Sequence, residues 1–171
     1  MVYHGISIMH LFLGDTQQAL KFDDIALDRF IKSIGANHTT TARVYNNKGN
    51  IYKKIGSYEE SLKNFNLALD IKRRALGMDH HAVATTLNNM AEVYLLQEKY
   101  DEYLPVGEEE HRIKCITLGA SHADTIATKS TIDSCKSKLE ALKKRDRISV
   151  DNDDSASKRN ESMYNKRQKK K

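Results

Sequence analysis

The chain has 171 residues, 39% hydrophobic and 30% charged, with 28 Lys and Arg against 23 Asp and Glu for a net charge of +5, one Pro and no Trp. That balance predicts one helical, surface-rich domain with a tail, and it excludes a turn-rich β-sandwich, a collagen and a disulfide scaffold. The longest apolar stretch, Gly5 to Gly14, is broken by Ser7 and His10 and falls well short of the ~18 residues a membrane span needs, so no membrane partner is expected.

In chain order, residues 1–34 read as an incomplete first repeat. Asp15-x-x-Gln18 carries an N-cap signature, and Leu20, Lys21, Ala26, Leu27 and Asp28 return 42 residues later as Leu62, Lys63, Ala68, Leu69 and Asp70. The second repeat, 35–76, opens on Gly35-Ala-Asn-His38. Its first helix is predicted from about Thr40 to Ile55, with Val44, Tyr45, Lys48, Ile51, Tyr52 and Ile55 at helical spacing, and Gly56 ends it. Ser57-Tyr-Glu-Glu60 then reads as a capping box for a second helix that carries Leu62, Phe65, Leu69, Ile71 and Leu76 and stops at Gly77.

The third repeat, 77–118, opens on Gly77-Met-Asp-His80, and a C-terminal capping helix, 119–143, opens on Gly119-Ala-Ser-His122 with Ser121-x-x-Asp124 as its N-cap signature. Cys115 and Cys135 lack the spacing of a zinc or redox pair and read as reduced thiols of a cytoplasmic or nuclear chain. From 144 to 171 the apolar period stops. Ten Lys and Arg against five Asp and Glu put the whole +5 there, which predicts a disordered basic tail.

The 42-residue unit resembles the tetratricopeptide repeat in the form seen in kinesin light chains. Tyr45, Gly49, Tyr52, Gly56, Tyr58, Ser61, Phe65 and Ala68 stand where that family places alternating aromatic and small residues, and Leu87, Met90, Ala91, Tyr94 and Tyr100 match in the next unit. The resemblance implies an all-α, right-handed superhelical solenoid of antiparallel helix pairs with a disordered C-terminal tail. Tyr103 stands where a small residue is expected, Gly107 where an aromatic is and Glu110 where Ala is, so the second helix of the third repeat is expected to pack differently. Pro105 is expected in that helix's first turn. No heptad region precedes the repeats in this sequence, which argues against a motor subunit, and Met1 falls inside a first helix, as it would in a fragment of a longer array.

No phosphate-binding loop, nucleophile elbow or zinc-protease motif occurs, so no enzyme activity, cofactor or metal is expected. Glu108-Glu109-Glu110-His111 reads as a solvated helix face. His38, His80 and His122 read as junction residues, since equivalent points of stacked repeats lie roughly 10 Å apart, too far to share a metal.

The resemblance implies a concave groove lined by Arg43, Asn46, Asn47, Asn50 and Lys54, then Asn88, Asn89 and Glu92. Amides offer both donor and acceptor to the backbone of an extended peptide, and Asn47 and Asn89 fall at the family position that contacts peptide backbone. Arg43 and Lys54 suit an acidic residue or a C-terminal carboxylate. The second use of Asn47 and Asn89 is to bond neighbouring helices. The function expected is therefore a noncatalytic scaffold for a protein or peptide partner, bound at roughly micromolar affinity given so short a groove. The alternative places a polyanion such as RNA or a microtubule, or nuclear targeting, on Lys166-Arg-Gln-Lys-Lys-Lys171, with Ser155 and Ser157 as phosphorylation sites.

Overall fold

The computed structural model describes the backbone of residues 2–168 and side chains through Arg145. Seven α-helices follow one another: α1 (Val2–Phe12), α2 (Thr16–Ile34), α3 (Thr39–Lys54), α4 (Tyr58–Leu76), α5 (His81–Leu96), α6 (Tyr100–Thr117) and α7 (Ala123–Gln168), with no strand among the described residues. Of the expected basic tail, 144–171, the side chains beyond Arg145 lie outside those described, Ser155 and Ser157 among them.

Each helix packs on its chain neighbours, pairing α1 with α2, α3 with α4 and α5 with α6, and stacking each pair on the next. The first helices α1, α3 and α5 also touch in succession, whereas α2 and α4 do not, so the stack curves with the first helices on its inner side. The α3 boundaries match the expectation from periodicity to within a residue.

The turns repeat with the sequence. Gly35, Gly77 and Gly119 all hold φ near +90°, and Gly14 and Gly56 hold +82° and +77°. The residue 42 places after Gly56 is Glu98, which keeps the same left-handed turn at φ 56° despite its Cβ.

Capping differs from the expectation at two of the three helices for which a cap was read. Asp15 does accept the Gln18 N–H at 3.1 Å, but Ser57 makes no side-chain cap bond, and α7 is capped by His122 rather than Ser121. His38, His80 and His122 play one role: the ring Nδ1 of each accepts the N–H two residues on, from Thr40, Ala82 and Asp124, at 3.1–3.2 Å. An imidazole with an open Nδ1 lone pair thus satisfies an orphan donor of the helix start, as Ser or Asp does elsewhere. Pro105 is the sixth residue of α6, in its second turn rather than its first.

The small and aromatic positions interlock. Phe65, fully buried, lies against Gly49, where an added Cβ would sit 2.5 Å from its ring, and Ser61 donates to the Gly49 carbonyl at 2.8 Å. In the next unit the two roles trade places along one helical turn. Tyr103 takes the place of Ser61 and Gly107 that of Phe65, and a Cβ on Gly107 would meet the Tyr103 ring at 2.9 Å. Tyr103 is 2% exposed and packs with Ala91, Ile132 and Cys135, which closes the junction with α7. The helix packs differently, as expected, and without loss of burial.

Candidate functional site

Two clefts lie on the inner side. The first, about 200 Å³, is lined by His4, Arg43, Asn46, Asn47, Asn50 and Lys72. The second, about 600 Å³, opens between α5, α6 and α7, and its lining includes Asn88, Glu92, Tyr103, Glu110, Lys114 and Thr128. Helical period explains both linings. Positions three and four apart on α3 share one face, so Arg43, Asn46, Asn47 and Asn50 line one cleft, as Asn88 and Glu92 on α5 line the other.

The structure brings together four of the expected groove residues, Arg43, Asn46, Asn47 and Asn50, and separately Asn88 with Glu92, whose carboxylate accepts from the Asn88 amide at 3.0 Å. Asn89 and Lys54 line neither of these clefts. Lys54 reaches back to the Leu11 carbonyl at 3.1 Å and caps the end of α1.

The amide nitrogens at the two family positions are used internally. Asn47 Nδ2 donates to Ser7 Oγ at 3.1 Å and to the buried Asp23 carboxylate, which also pairs with His4 Nδ1 at 3.1 Å. Asn89 Nδ2 donates to Asn46 Oδ1 at 3.3 Å, and the Thr86 hydroxyl reaches the same oxygen. These bonds hold α3 to α1, α2 and α5. The cleft's polar groups without an ion pair or hydrogen bond among the described residues are the Arg43 guanidinium and the Asn50 amide.

Two residues of the clefts escaped sequence reasoning. Lys72, on the second helix α4, is 7% exposed and donates to Thr86 Oγ1 at 2.7 Å. Burial, and then the charge of Arg43, lower its pKa from 10.5 to about 8. Glu110 was expected on a solvated face, yet it is 2% exposed, with the Lys114 ammonium 2.6 Å away and the Thr128 hydroxyl at 3.3 Å. Burial pushes its carboxyl upward against those two partners. Its neighbours are engaged as well: Glu109 takes a two-point contact from Arg73, and Glu108 pairs with Lys136 at 2.7 Å. The available signal was the 42-residue spacing of Lys72 to Lys114 and of Thr86 to Thr128.

Among the described residues no group of three His, Cys, Asp or Glu side chains could hold a metal ion, and no helix is long and apolar enough to cross a membrane.

Comparison with known proteins agrees with the architecture. Two tetratricopeptide repeat models match, one over residues 1–60 and 40–102 and the other over 83–124. No curated protein matches. Among solved structures, BtubC (BKLC) from P. vanneervenii is similar at a TM-score of 0.66 and 16% identity, covering 83% of this chain and 62% of that one. The nearly identical TPR-like repeats of a candidate kinesin light chain from Podosopora anserina are similar at a TM-score of 0.66 and 16% identity, over 78% of this chain and 64% of that one. Their Q17M form gives 0.67 at the same identity, over 78% and 63%. The chain thus spans somewhat less than two thirds of the length of these structures, and the likeness is one of fold. With the family models covering residues 1–124, the chain belongs to the tetratricopeptide repeat family.

Proposed function

We propose that the chain is a noncatalytic adaptor that holds an extended segment of a partner protein along its inner face. The family's general work is protein–protein interaction, and the observation that carries the specific reading is the pair of clefts on the first-helix side. They are lined by side-chain amides, and the first also by the Arg43 guanidinium, which has no ion pair or hydrogen bond among the described residues. Asn46 and Asn50 line the first cleft and Asn88 the second, and amides of this kind suit the donors and acceptors of an extended main chain. Asn47 and Asn89 serve the groove by fixing the helices that form it, since their amide nitrogens are already bonded.

The test is selection of peptides from a random library on the immobilised full chain, followed by calorimetry with the enriched sequences. Asn50→Ala and Asn88→Ala should each weaken binding while leaving the melting temperature near that of the parent, because neither side chain ties two helices together. Enrichment that survives both changes and a swap of Arg43→Gln would place the binding elsewhere and remove the groove reading.

A further inference from the structure

The starts of the first helices share a chemistry that the second helices lack. α3, α5 and α7 each follow a histidine whose Nδ1 lone pair holds the helix start: His38 accepts from the Thr40 N–H, His80 from Ala82 and His122 from Asp124, at 3.1, 3.1 and 3.2 Å. Of the second helices, α2 is capped by the Asp15 carboxylate, and α4 and α6 have no side-chain cap bond. A carboxylate ordinarily stays an acceptor down to about pH 4, whereas an imidazole ordinarily takes up a proton near pH ~6.5. The protonated ring carries N–H on both nitrogens, so Nδ1 turns from acceptor into donor and opposes the backbone donor it had satisfied. It also places a cation at the positive end of the helix dipole. His38 and His122 are exposed and His80 is half-buried, so water reaches all three rings.

The histidines with a carboxylate in ion-pair reach among the described residues are His4 and His10, and none of the three capping rings is so placed. The charged groups at the helix ends around the junctions are matched elsewhere: Lys32 with Asp28, Arg73 with Glu109, Arg112 with Asp79, and Lys114 with Glu110. Arg74 and Arg43 add exposed cations near the start of α3, and His111 on α6 contacts Cys115. His80 meets one further titratable ring, that of His81, with the centroids 4.5 Å apart. We propose that His38, His80 and His122 act as a set of acid-sensitive latches, whose protonation releases the first turns of α3, α5 and α7 together and leaves the second helices held. The released turns of α5 and α7 carry His81, Ala84 and Asp124, which line the larger cleft, and α3 carries Arg43 of the smaller one just past its own. Mild acid therefore loosens one rim of both clefts at once, whatever occupies them. In the unfolded chain the three rings take up protons with no cap bond to lose, so stability falls as the pH falls through the imidazole range.

The experiment compares the full chain with a triple variant, His38→Asn, His80→Asn and His122→Asn, by urea unfolding at pH 7.5 and pH 5.0. Asparagine accepts the same N–H and does not titrate, so the remaining histidines and carboxylates cancel in the comparison. Between the two pH values the parent should lose about fivefold per cap, on the order of a hundredfold for three, more of its folded-to-unfolded ratio than the variant does. An equal loss in both would overturn the proposal. Imidazole ¹⁵N spectra of the parent, read ring by ring so that His81 is kept apart from His80, should show the proton on Nε2 of all three capping rings at pH 7.5; a proton on Nδ1 there would overturn it. Independently of the variant, the Thr40, Ala82 and Asp124 amide resonances of the parent should move with the titration of their own capping rings while that of Gln18, capped by Asp15, does not follow them. Amides that stay in place as the rings titrate would likewise overturn the latch.

Discussion

A buried ammonium without a counter-charge costs stability, and Lys72 lets that cost be weighed. Its pKa falls from 10.5 to about 8 on folding, a drop worth about 3 kcal/mol at ~1.4 kcal/mol per unit. The unfolded chain holds the Lys72 proton up to about pH 10.5 and the folded chain releases it near pH 8, so between those values the unfolded state binds more protons and stability rises with pH. Lys72→Met removes the buried charge and keeps the stem's contacts. At pH 7 the gain is about 3 kcal/mol less roughly 1 for the lost bond to Thr86, a net of about 2. At pH 9.5 the remaining penalty in the parent has shrunk to about 1.4 kcal/mol, so the net gain falls below about 0.5. Urea unfolding of parent and variant at pH 7 and pH 9.5, read as the difference at each pH so that other titrating groups cancel, measures both numbers. A variant less stable than the parent at pH 7, or a gain of the same size at both pH values, would refute the reasoning.

Four further expectations can be checked by denaturant melts. His80→Ala should cost about 1 kcal/mol through loss of the cap on α5, and His80→Asn, which can accept the same N–H, should recover most of it. Glu98→Gly should stabilise by about 0.5–1 kcal/mol, since the turn already has the φ of 56° that glycine adopts freely. Tyr103→Ser alone should cost about 3–5 kcal/mol by opening a cavity, and Gly107→Phe alone about 1–3 by overpacking. The double variant restores the arrangement of Ser61 and Phe65, and should be less destabilised than the sum by more than about 1 kcal/mol. Asn47→Ala should cost about 2–3 kcal/mol, because the buried Asp23 carboxylate would keep only His4 as a partner.

Much of the architecture was legible because it depends on local chemistry repeated at fixed spacing. Apolar periodicity delimits α3 to within a residue, and the pairing of Gly49 with Phe65 follows from a small residue placed where an aromatic ring must lie. The caps were half legible. Ser57 and Ser121 have the expected side chain at the expected spacing but make no cap bond or lie outside the helix start, whereas histidine caps depend on a ring orientation that no spacing rule encodes. In the groove, the helical period read through the family resemblance placed Arg43, Asn46, Asn47 and Asn50 on one face. It could not place Lys72, which belongs to the second helix and reaches the groove only because α4 stacks against α5 with its ammonium at Thr86. Nor could it separate the lining residues from those that stitch helices together, since Asn47 and Asn50 lie one turn apart on the same face and of the two Asn47 alone is bonded to other helices.

The knot formed by His4, Ser7, Asp23 and Asn47 joins α1, α2 and α3, and the equivalent place in the next unit is filled by Phe65 against Gly49. These two kinds of junction respond differently to a pull along the array. A hydrogen bond weakens steeply once its partners separate or lose alignment, while dispersion between apolar side chains is spread over many small contacts that yield one after another. Within the first helix pair the bonded knot is therefore the brittle contact and within the second the aromatic packing is the compliant one, while each joint between pairs keeps hydrogen bonds of its own, Asn47 to Asp23 in the first and Asn89 to Asn46 in the next.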